Sequence, residues 1–169
     1  MKRLSPLMIL ILMSFASCFG EQSWTAVSKD GVTIIAGGKY KSQVIIKIFS
    51  RVVDIPAKER HEDESHSTNC TYSIRPCREI YKLEILMNDK QIRVPRSAFA
   101  DLGDITNARI VQDAQGMTTV QLTGGDADEG FYAYLRLDRK GIAERDIYTI
   151  AGPKAGPLEV TKYHSAVFP

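Results

Sequence analysis

Residues 131–138 read FYAYLRLD and alternate strictly between two kinds of side chain. The odd-numbered positions are apolar, whereas the even-numbered positions carry tyrosine, arginine and aspartate. A period of two is that of a β-strand with one buried face, and a helix would not produce it. The stretch therefore predicts a strand whose buried face holds Phe131, Ala133, Leu135 and Leu137.

Further strand patterns, separated by turn signals, surround this stretch. Residues 142–150 follow it after a short turn, and residues 108–113 and 117–123 are separated by a turn that ends in glycine. Each arrangement predicts a hairpin, because a glycine-containing turn lies between two runs of β-forming residues. Residues 158–163 follow a break rich in glycine and proline, and they predict a last strand at a sheet edge.

The N-terminal half predicts strands as well. Residues 44–53 (VIIKIFSRVV) are rich in β-branched side chains, which predicts a central strand covered on both faces. Residues 24–28 and 32–36 are expected to form a hairpin, since the Asp-Gly pair between them supplies the dihedral angles of a tight turn. In residues 79–87 the alternation predicts one buried face made of Tyr81, Leu83, Ile85 and Met87.

Helical signals are few. Residues 96–103 predict one short helical turn, with Ser97 as its cap and Gly103 as its stop. Roughly six to nine short strands with turn signals are typical of an antiparallel sandwich or a curved sheet. We therefore predict an all-β, mainly antiparallel fold: a small β-sandwich or strongly curved meander sheet with at most one short helix. Residues 24–169 would form a single domain, with a charged loop at residues 54–68.

The first residues are built like an export signal. Two basic residues come first, residues 7–15 (LMILILMSF) are apolar, and Ala16 and Ser17 are the small residues that a signal peptidase needs. The apolar run is shorter than the roughly 20 residues of a spanning helix, so cleavage is favoured over a retained anchor. We predict that residues 1–17 are a lipoprotein-type signal peptide and that residues 18–23 are an anchor and linker.

Residues 15–18 (FASC) resemble the lipobox of bacterial lipoproteins, in which a small residue precedes a cysteine. The resemblance implies that a lipid is attached to Cys18, which becomes the first residue of the mature chain. The protein would then be held at a membrane of the cell envelope, facing the periplasm or the outside. Ordinary cleavage after Ala16 or Gly20 is the alternative, and it would leave a soluble periplasmic or secreted protein.

Three cysteines in an exported protein leave one over after pairing, and lipidation would use the odd one. Cys70 and Cys77 are then the natural disulfide pair, and a bridge between them would contribute about 2 to 3 kcal/mol by the chain-entropy estimate. A metal site that combines them with His61 and His66 is the rival interpretation. It is disfavoured because the chain has no C-x-x-C spacing and export disfavours free thiolates.

The charge balance excludes one class of partner. The chain has 22 basic and 20 acidic residues, and removal of Lys2 and Arg3 with the signal peptide leaves 20 of each. A balanced chain without a basic cluster has no counterion-release footprint for nucleic acid and no polybasic patch for anionic lipid. We therefore expect no nucleic-acid partner, and membrane contact only through the lipid on Cys18.

The densest group of potential metal ligands lies in the charged loop. His61, Glu62, Glu64 and His66 could hold a divalent metal if the loop folded back, because imidazole and carboxylate both suit zinc. Their spacing lacks the H-E-x-x-H pattern, so a solvated loop without a cofactor is the favoured interpretation. Residues 124–130 match only part of a calcium-binding loop and more simply make a wide turn.

The polar face of residues 131–138 is the best candidate for a binding surface. Tyr132, Tyr134 and Arg136 share this face, and tyrosine and arginine are enriched at protein contact hot spots. Packing of the same side chains beneath a loop is the alternative. If the face is an interface, the two tyrosines are its anchors and Arg136 makes the charged contact.

These observations lead to three hypotheses of function. The preferred one is an exported bacterial envelope lipoprotein that acts as a non-catalytic binding or interaction module, such as an inhibitor, an immunity-type protein or an envelope accessory protein, with a protein partner in the envelope. The second is a metal-dependent envelope enzyme that uses the loop from His61 to His66. The third is a structural assembly component of an envelope complex.

Overall fold

The computed structural model describes residues 23–38, 43–54, 70 and 76–164. Two antiparallel sheets share one hydrophobic core, which confirms the predicted all-β, mainly antiparallel fold. In spatial order, the six-stranded sheet consists of β1 (Thr25–Ala26), β6 (Ile105–Gln112), β7 (Thr118–Gly124), β8 (Phe131–Leu137), β9 (Ile142–Thr149) and β10 (Glu159–Lys162). The four-stranded sheet consists of β2 (Gly31–Gly37), β3 (Val44–Val53), β4 (Cys77–Met87) and β5 (Lys90–Gln91).

Strand β8 lies inside the six-stranded sheet and has the alternation that the sequence predicts. Its apolar side chains are at most 4% exposed, whereas its polar side chains are half-buried. The predicted hairpins β6–β7 and β8–β9 are both present, and β10 pairs with β9 at the sheet edge. Strands β6 to β9 therefore lie side by side in chain order, and their outward side chains share one face.

Strand β3 is an interior strand of the four-stranded sheet and has the predicted bounds. Val44, Ile46 and Ile48 are fully buried in the shared core, whereas the residues that alternate with them are only half-buried. The prediction that both faces of this strand are covered is therefore wrong. In the described part of the chain the other sheet packs on its inner face, and no second layer covers its outer face.

The predicted hairpin of residues 24–28 and 32–36 is also wrong. Strand β1 pairs with β6 and β2 pairs with β3, so the chain passes from one sheet to the other between them. Gly31, the first residue of β2, has a positive φ of 107°, and the Ser50 hydroxyl donates a hydrogen bond of 2.6 Å to the Ser28 carbonyl. The Asp-Gly signal correctly predicts a turn, but packing across the core decides which strands pair.

Strand β4 contains a β-bulge that the sequence pattern does not reveal. A register shift opposite Phe49 and Ser50 makes Tyr81 the extra residue of β4. The bulge directs Ile80 into the core and leaves Tyr81 47% exposed. The predicted buried face therefore begins at Leu83, and Tyr81 does not belong to it.

Within the described residues, helical structure is limited to single 3-10 turns at Arg96–Ala98, Ala127–Glu129 and Pro153–Ala155. The first turn lies where the sequence predicts a helical turn, but Ser97 is inside it and does not cap it. The residue before the turn is Pro95, whose extended backbone leads into it, and no side chain caps the turn.

A buried ion pair ties this segment to the six-stranded sheet. Arg145 of β9 is 3% exposed, and its guanidinium donates hydrogen bonds to both carboxylate oxygens of Asp101. It also donates a hydrogen bond of 2.8 Å to the Ser97 carbonyl. A buried charge is tolerated only when it is paired in this way, so Asp101 fixes the 3-10 turn against β9.

We predict that Asp101→Ala lowers the free energy of unfolding by about 2 to 3 kcal/mol, because it leaves the buried Arg145 charge without its partner. The expected loss is smaller than for a fully buried pair because the Asp101 side chain is 40% exposed. Urea unfolding followed by circular dichroism measures the loss. The control is the exposed Asp128→Ala, which should change stability by less than about 0.5 kcal/mol. Equal stability of the two variants would contradict the prediction.

Cys70 and Cys77 lie at disulfide distance, with their Cα atoms 5.4 Å apart. Cys77 is the first residue of β4 and is fully buried. A bridge between the two sulfurs would tie the beginning of β4 to the chain that precedes it.

We predict that the oxidised protein carries this bridge. Reduction should raise the intact mass by about two protons, and Cys70→Ala combined with Cys77→Ala should lower the free energy of unfolding by about 2 to 3 kcal/mol, because the unfolded chain gains freedom. Mass spectrometry and urea unfolding measure the two effects. A protein whose mass does not change on reduction has no such bridge.

Candidate functional site

The predicted binding residues lie on the side of the six-stranded sheet that faces away from the core. Tyr132, Tyr134 and Arg136 are all half-buried on this outer face of β8, as the alternation predicts. The predicted lipidation site and the predicted metal ligands lie outside the described residues, so both stay predictions. These residues are Cys18, His61, Glu62, Glu64 and His66.

A row of side chains crosses the outer face from strand to strand. Gln121 of β7 and Asp146 of β9 lie opposite Tyr134, one on each side, and Arg109 of β6 lies opposite Gln121. Arg109 Nε donates a hydrogen bond of 2.7 Å to Gln121 Oε1. Because neighbouring strands are only about 4.8 Å apart, these groups form a continuous line of polar atoms with Tyr134 among them.

Aromatic side chains lie along this row, and we call them the aromatic cluster: Trp24, Tyr132, Tyr134 and Tyr148. Successive ring centroids are 6.4, 6.4 and 5.1 Å apart, and each neighbouring pair is tilted or edge-to-face. Aromatic rings attract one another in such geometries. The Arg109 guanidinium lies 4.4 Å from the centroid of the Trp24 ring, a cation–π contact that joins the cluster to the polar row.

Asp146 is the most buried polar side chain of the face, at 2% exposure. Its Oδ2 accepts a hydrogen bond of 3.0 Å from the Tyr148 hydroxyl and lies 2.6 Å from a guanidinium nitrogen of Arg136. Arg136 also contacts the Glu144 carboxylate. Asp146 Oδ1 is buried and has no hydrogen-bond partner among the described residues. Buried carboxylate oxygens normally accept hydrogen bonds, so a donor from outside the sheet would satisfy this oxygen.

Burial raises the pKa of both Tyr134 and Tyr148 above the ordinary tyrosine value. For Tyr148 the hydrogen bond to Asp146 raises the pKa further, because the carboxylate favours the protonated phenol. For Tyr134 the positive charge of Arg109 lowers the pKa, but by less than burial raises it. Both hydroxyls therefore stay protonated and neutral at neutral pH.

The outer face carries charges of both signs, since Arg109, Arg136 and Lys162 lie on it together with Glu144 and Asp146. The face combines aromatic surface with hydrogen-bond donors and acceptors. On this face the Tyr148 hydroxyl donates a hydrogen bond to the Asp146 carboxylate. The raised pKa of this hydroxyl makes it a poor nucleophile. The arrangement therefore suits non-covalent binding better than covalent catalysis.

A second group of potential ligands lies at the beginning of β4. The sulfur atoms of Cys70 and Cys77 and a carboxylate oxygen of Asp104 lie within 4.8 Å of one another. A disulfide would occupy both sulfurs, and Asp104 accepts a hydrogen bond of 2.9 Å from the backbone N–H of Arg78. This group therefore serves to hold the segment before β6 against β4.

Sequence reasoning identified three residues of the outer face and missed the others. Asp146 and Tyr148 could not have been found from the turn between β8 and β9, because a β-bulge makes Ala143 an extra residue of β9 and only this shift places them opposite Tyr134 and Tyr132. Trp24 could not have been found, because β1 pairs with a strand that lies far away in the sequence.

Comparisons of the chain with protein-family models, with curated proteins and with solved structures found no match. Among the described residues, no helix has the length and apolar character needed to cross a membrane. The fold and the face together define a two-sheet antiparallel β protein with an aromatic and polar outer sheet face.

We predict that the free energy of unfolding decreases as the pH rises above 10.0, the ordinary tyrosine value, and less steeply for Tyr148→Phe than for the wild type. The folded protein keeps the phenol protons of Tyr134 and Tyr148 at a pH where the unfolded chain has lost them, so rising pH favours unfolding. Phenylalanine removes one of the two contributions. Urea unfolding at about pH 8 and at about pH 10.5 measures the decrease. An equal decrease for both proteins would contradict the assignment.

Proposed function

We propose that this chain is an exported bacterial envelope lipoprotein whose β-domain acts as a non-catalytic binding module. The outer face of the six-stranded sheet is its contact surface. A lipid on Cys18 holds the protein at the membrane, with the domain facing the periplasm or the outside. Lipidation and export rest on the sequence of residues 1–18, and binding rests on the geometry of the outer face.

The observation that carries the binding function is the aromatic cluster beside Asp146. Tyrosine and tryptophan are enriched in binding sites, because each combines a large apolar ring with a polar atom. The three tyrosine rings are held by strands paired on both sides, so little of their conformational freedom is lost when a ligand binds. A cluster whose only role was to stabilise the fold would be expected in the core, yet this one lies on the outer face of the sheet.

We predict that the full-length protein, kept in detergent, sediments with bacterial envelopes whose lipid has been extracted by detergent, so that the lipid on Cys18 cannot hold it there, and that Tyr132→Ala combined with Tyr134→Ala abolishes sedimentation. The two substitutions remove the half-buried rings at the centre of the cluster. Tyr81→Ala is the matched control, because it removes a ring from the outer face of the other sheet. Equal sedimentation of all three proteins, or sedimentation of none, would overturn the proposed function.

The anchor is tested separately. We predict that the mature protein from a bacterial host has the mass of the chain from Cys18 plus acyl groups and is found in the membrane fraction, since a lipid binds the bilayer through its buried methylene groups. Cys18→Ser should abolish acylation and membrane retention. A wild-type protein that lacks acyl groups and begins after Ala16 or Gly20 would show ordinary cleavage.

A further inference from the structure

We propose that the free edge of β2 is a self-association site, at which a second copy of this chain adds its own β2 in antiparallel orientation. The pairing joins the two four-stranded sheets into one continuous sheet. This inference goes beyond the proposed binding function and uses no residue of the outer face of the six-stranded sheet, so either proposal can fail without the other.

Strand β2 has one edge that no described strand covers, because among the described strands it pairs only with β3. The Asn88 N–H donates a hydrogen bond of 2.8 Å to the Gln43 carbonyl, so the backbone of Gln43 is directed toward β4. Backbone groups alternate in direction along a strand, and Ile46 is therefore directed toward β2, where it pairs with Ile35. Every second residue of β2, counted from Ile35, bonds to β3, and the residues between them face the free edge.

The residues at the free edge include Val32 and Ile34. Their outward backbone N–H and C=O groups have no hydrogen-bond partner among the described residues. Their side chains lie on the outer face of the sheet and are 48% and 61% exposed. Ala36 already has a contact of its own, and the proposed pairing leaves it in place. Unpaired backbone groups beside exposed apolar side chains form a template for another strand.

The other edge strands are protected, whereas β2 is not. Proteins keep sheet edges from pairing with short strands and with charged side chains, lysine above all. Strands β1 and β5 have two residues each, and the four residues of β10 include Glu159 and Lys162. Strand β2 has seven residues (GVTIIAG), with no charge and no proline. It is therefore the edge that is suited to pairing with another strand.

The sequence of β2 fits a second copy of itself. When the two-fold axis passes beside Thr33, Val32 lies opposite Ile34 of the second copy, and Ile34 lies opposite its Val32. Each of these two pairs exchanges two hydrogen bonds, and the apolar side chains meet on the outer face. Because β2 carries no charge, two identical strands place no like charges opposite each other. Two-fold contacts of this kind are the commonest way in which protein chains form dimers.

Sedimentation equilibrium of the full-length protein in detergent, over a series of concentrations, tests the proposal. We expect a reversible dimer, and a weak one, since the contact is short. Val32→Lys should raise the dissociation constant by about tenfold or more, because it places a charge on the pairing edge. Val160→Lys is the matched control: Val160 is 49% exposed and lies on the edge strand β10, so its replacement should leave the dimer unchanged.

A cross-linking experiment tests the register. Val32→Cys and Ile34→Cys are prepared separately, each together with Cys18→Ser so that Cys18 cannot react. In the proposed pairing the two new cysteines face each other with Cα atoms about 5.5 Å apart, which is within the range of a disulfide. Cysteines at the same position of both copies are diagonal neighbours about 7 to 8 Å apart. Mild oxidation of the mixture should therefore give a covalent dimer of one variant with the other, and each variant alone should give far less.

Circular dichroism establishes that each variant keeps the fold, and Val32→Thr, which keeps the β-branched shape, replaces Val32→Lys if the lysine disturbs it. A protein that is monomeric at every concentration would overturn the inference. So would a dimer that Val32→Lys and Val160→Lys weaken equally, or one in which the mixed cysteine variants cross-link no better than each variant alone. None of these results bears on the sedimentation of the protein with lipid-extracted envelopes, which tests the binding function.

Discussion

Burial of a single hydrophobic core between the two sheets determines which side of every strand is left for function. Leu122 and Leu135 of one sheet and Ile46 of the other are fully buried in it. Since side chains alternate along a strand, burial of these residues forces Gln121 and Tyr134 to point the other way. A slip of one residue in any of these strands would exchange the core for the candidate binding face, so stability and function depend on the same register.

The sequence predicts the parts of the fold that local patterns control. The alternation in residues 131–138 predicted both the strand and its buried face, and the glycine-containing turns predicted the two hairpins. The errors have long-range causes. Strands β1 and β2 belong to different sheets because each pairs with a different partner. Tyr81 leaves the buried face because a bulge opposite Ser50 adds one residue to β4.

Some residues of the candidate site could likewise be predicted from local sequence patterns, and others could not. Tyr132, Tyr134 and Arg136 could be predicted because they belong to one strand. Their neighbours in β9 could not, because a β-bulge in the adjacent hairpin shifts the register. Trp24 reaches the cluster only through the pairing of β1 with β6, which no local pattern encodes. The burial of Asp146 depends on tertiary structure as well, because its carboxylate contacts Arg136 of the neighbouring strand β8. Chemistry that depends on one buried atom is therefore the part of a site that a sequence reveals last.

Trp24 lies directly before β1, and this position limits where the outer face can act. Six residue steps separate Trp24 from Cys18, and a fully extended chain of that length spans about 20 Å. With a lipid on Cys18, the tether confines the cluster to a thin layer next to the bilayer. Ligands within that layer are met at a high effective concentration, whereas those deeper in the cell wall are out of reach. The length of the tether would thus select among chemically identical ligands by their distance from the membrane.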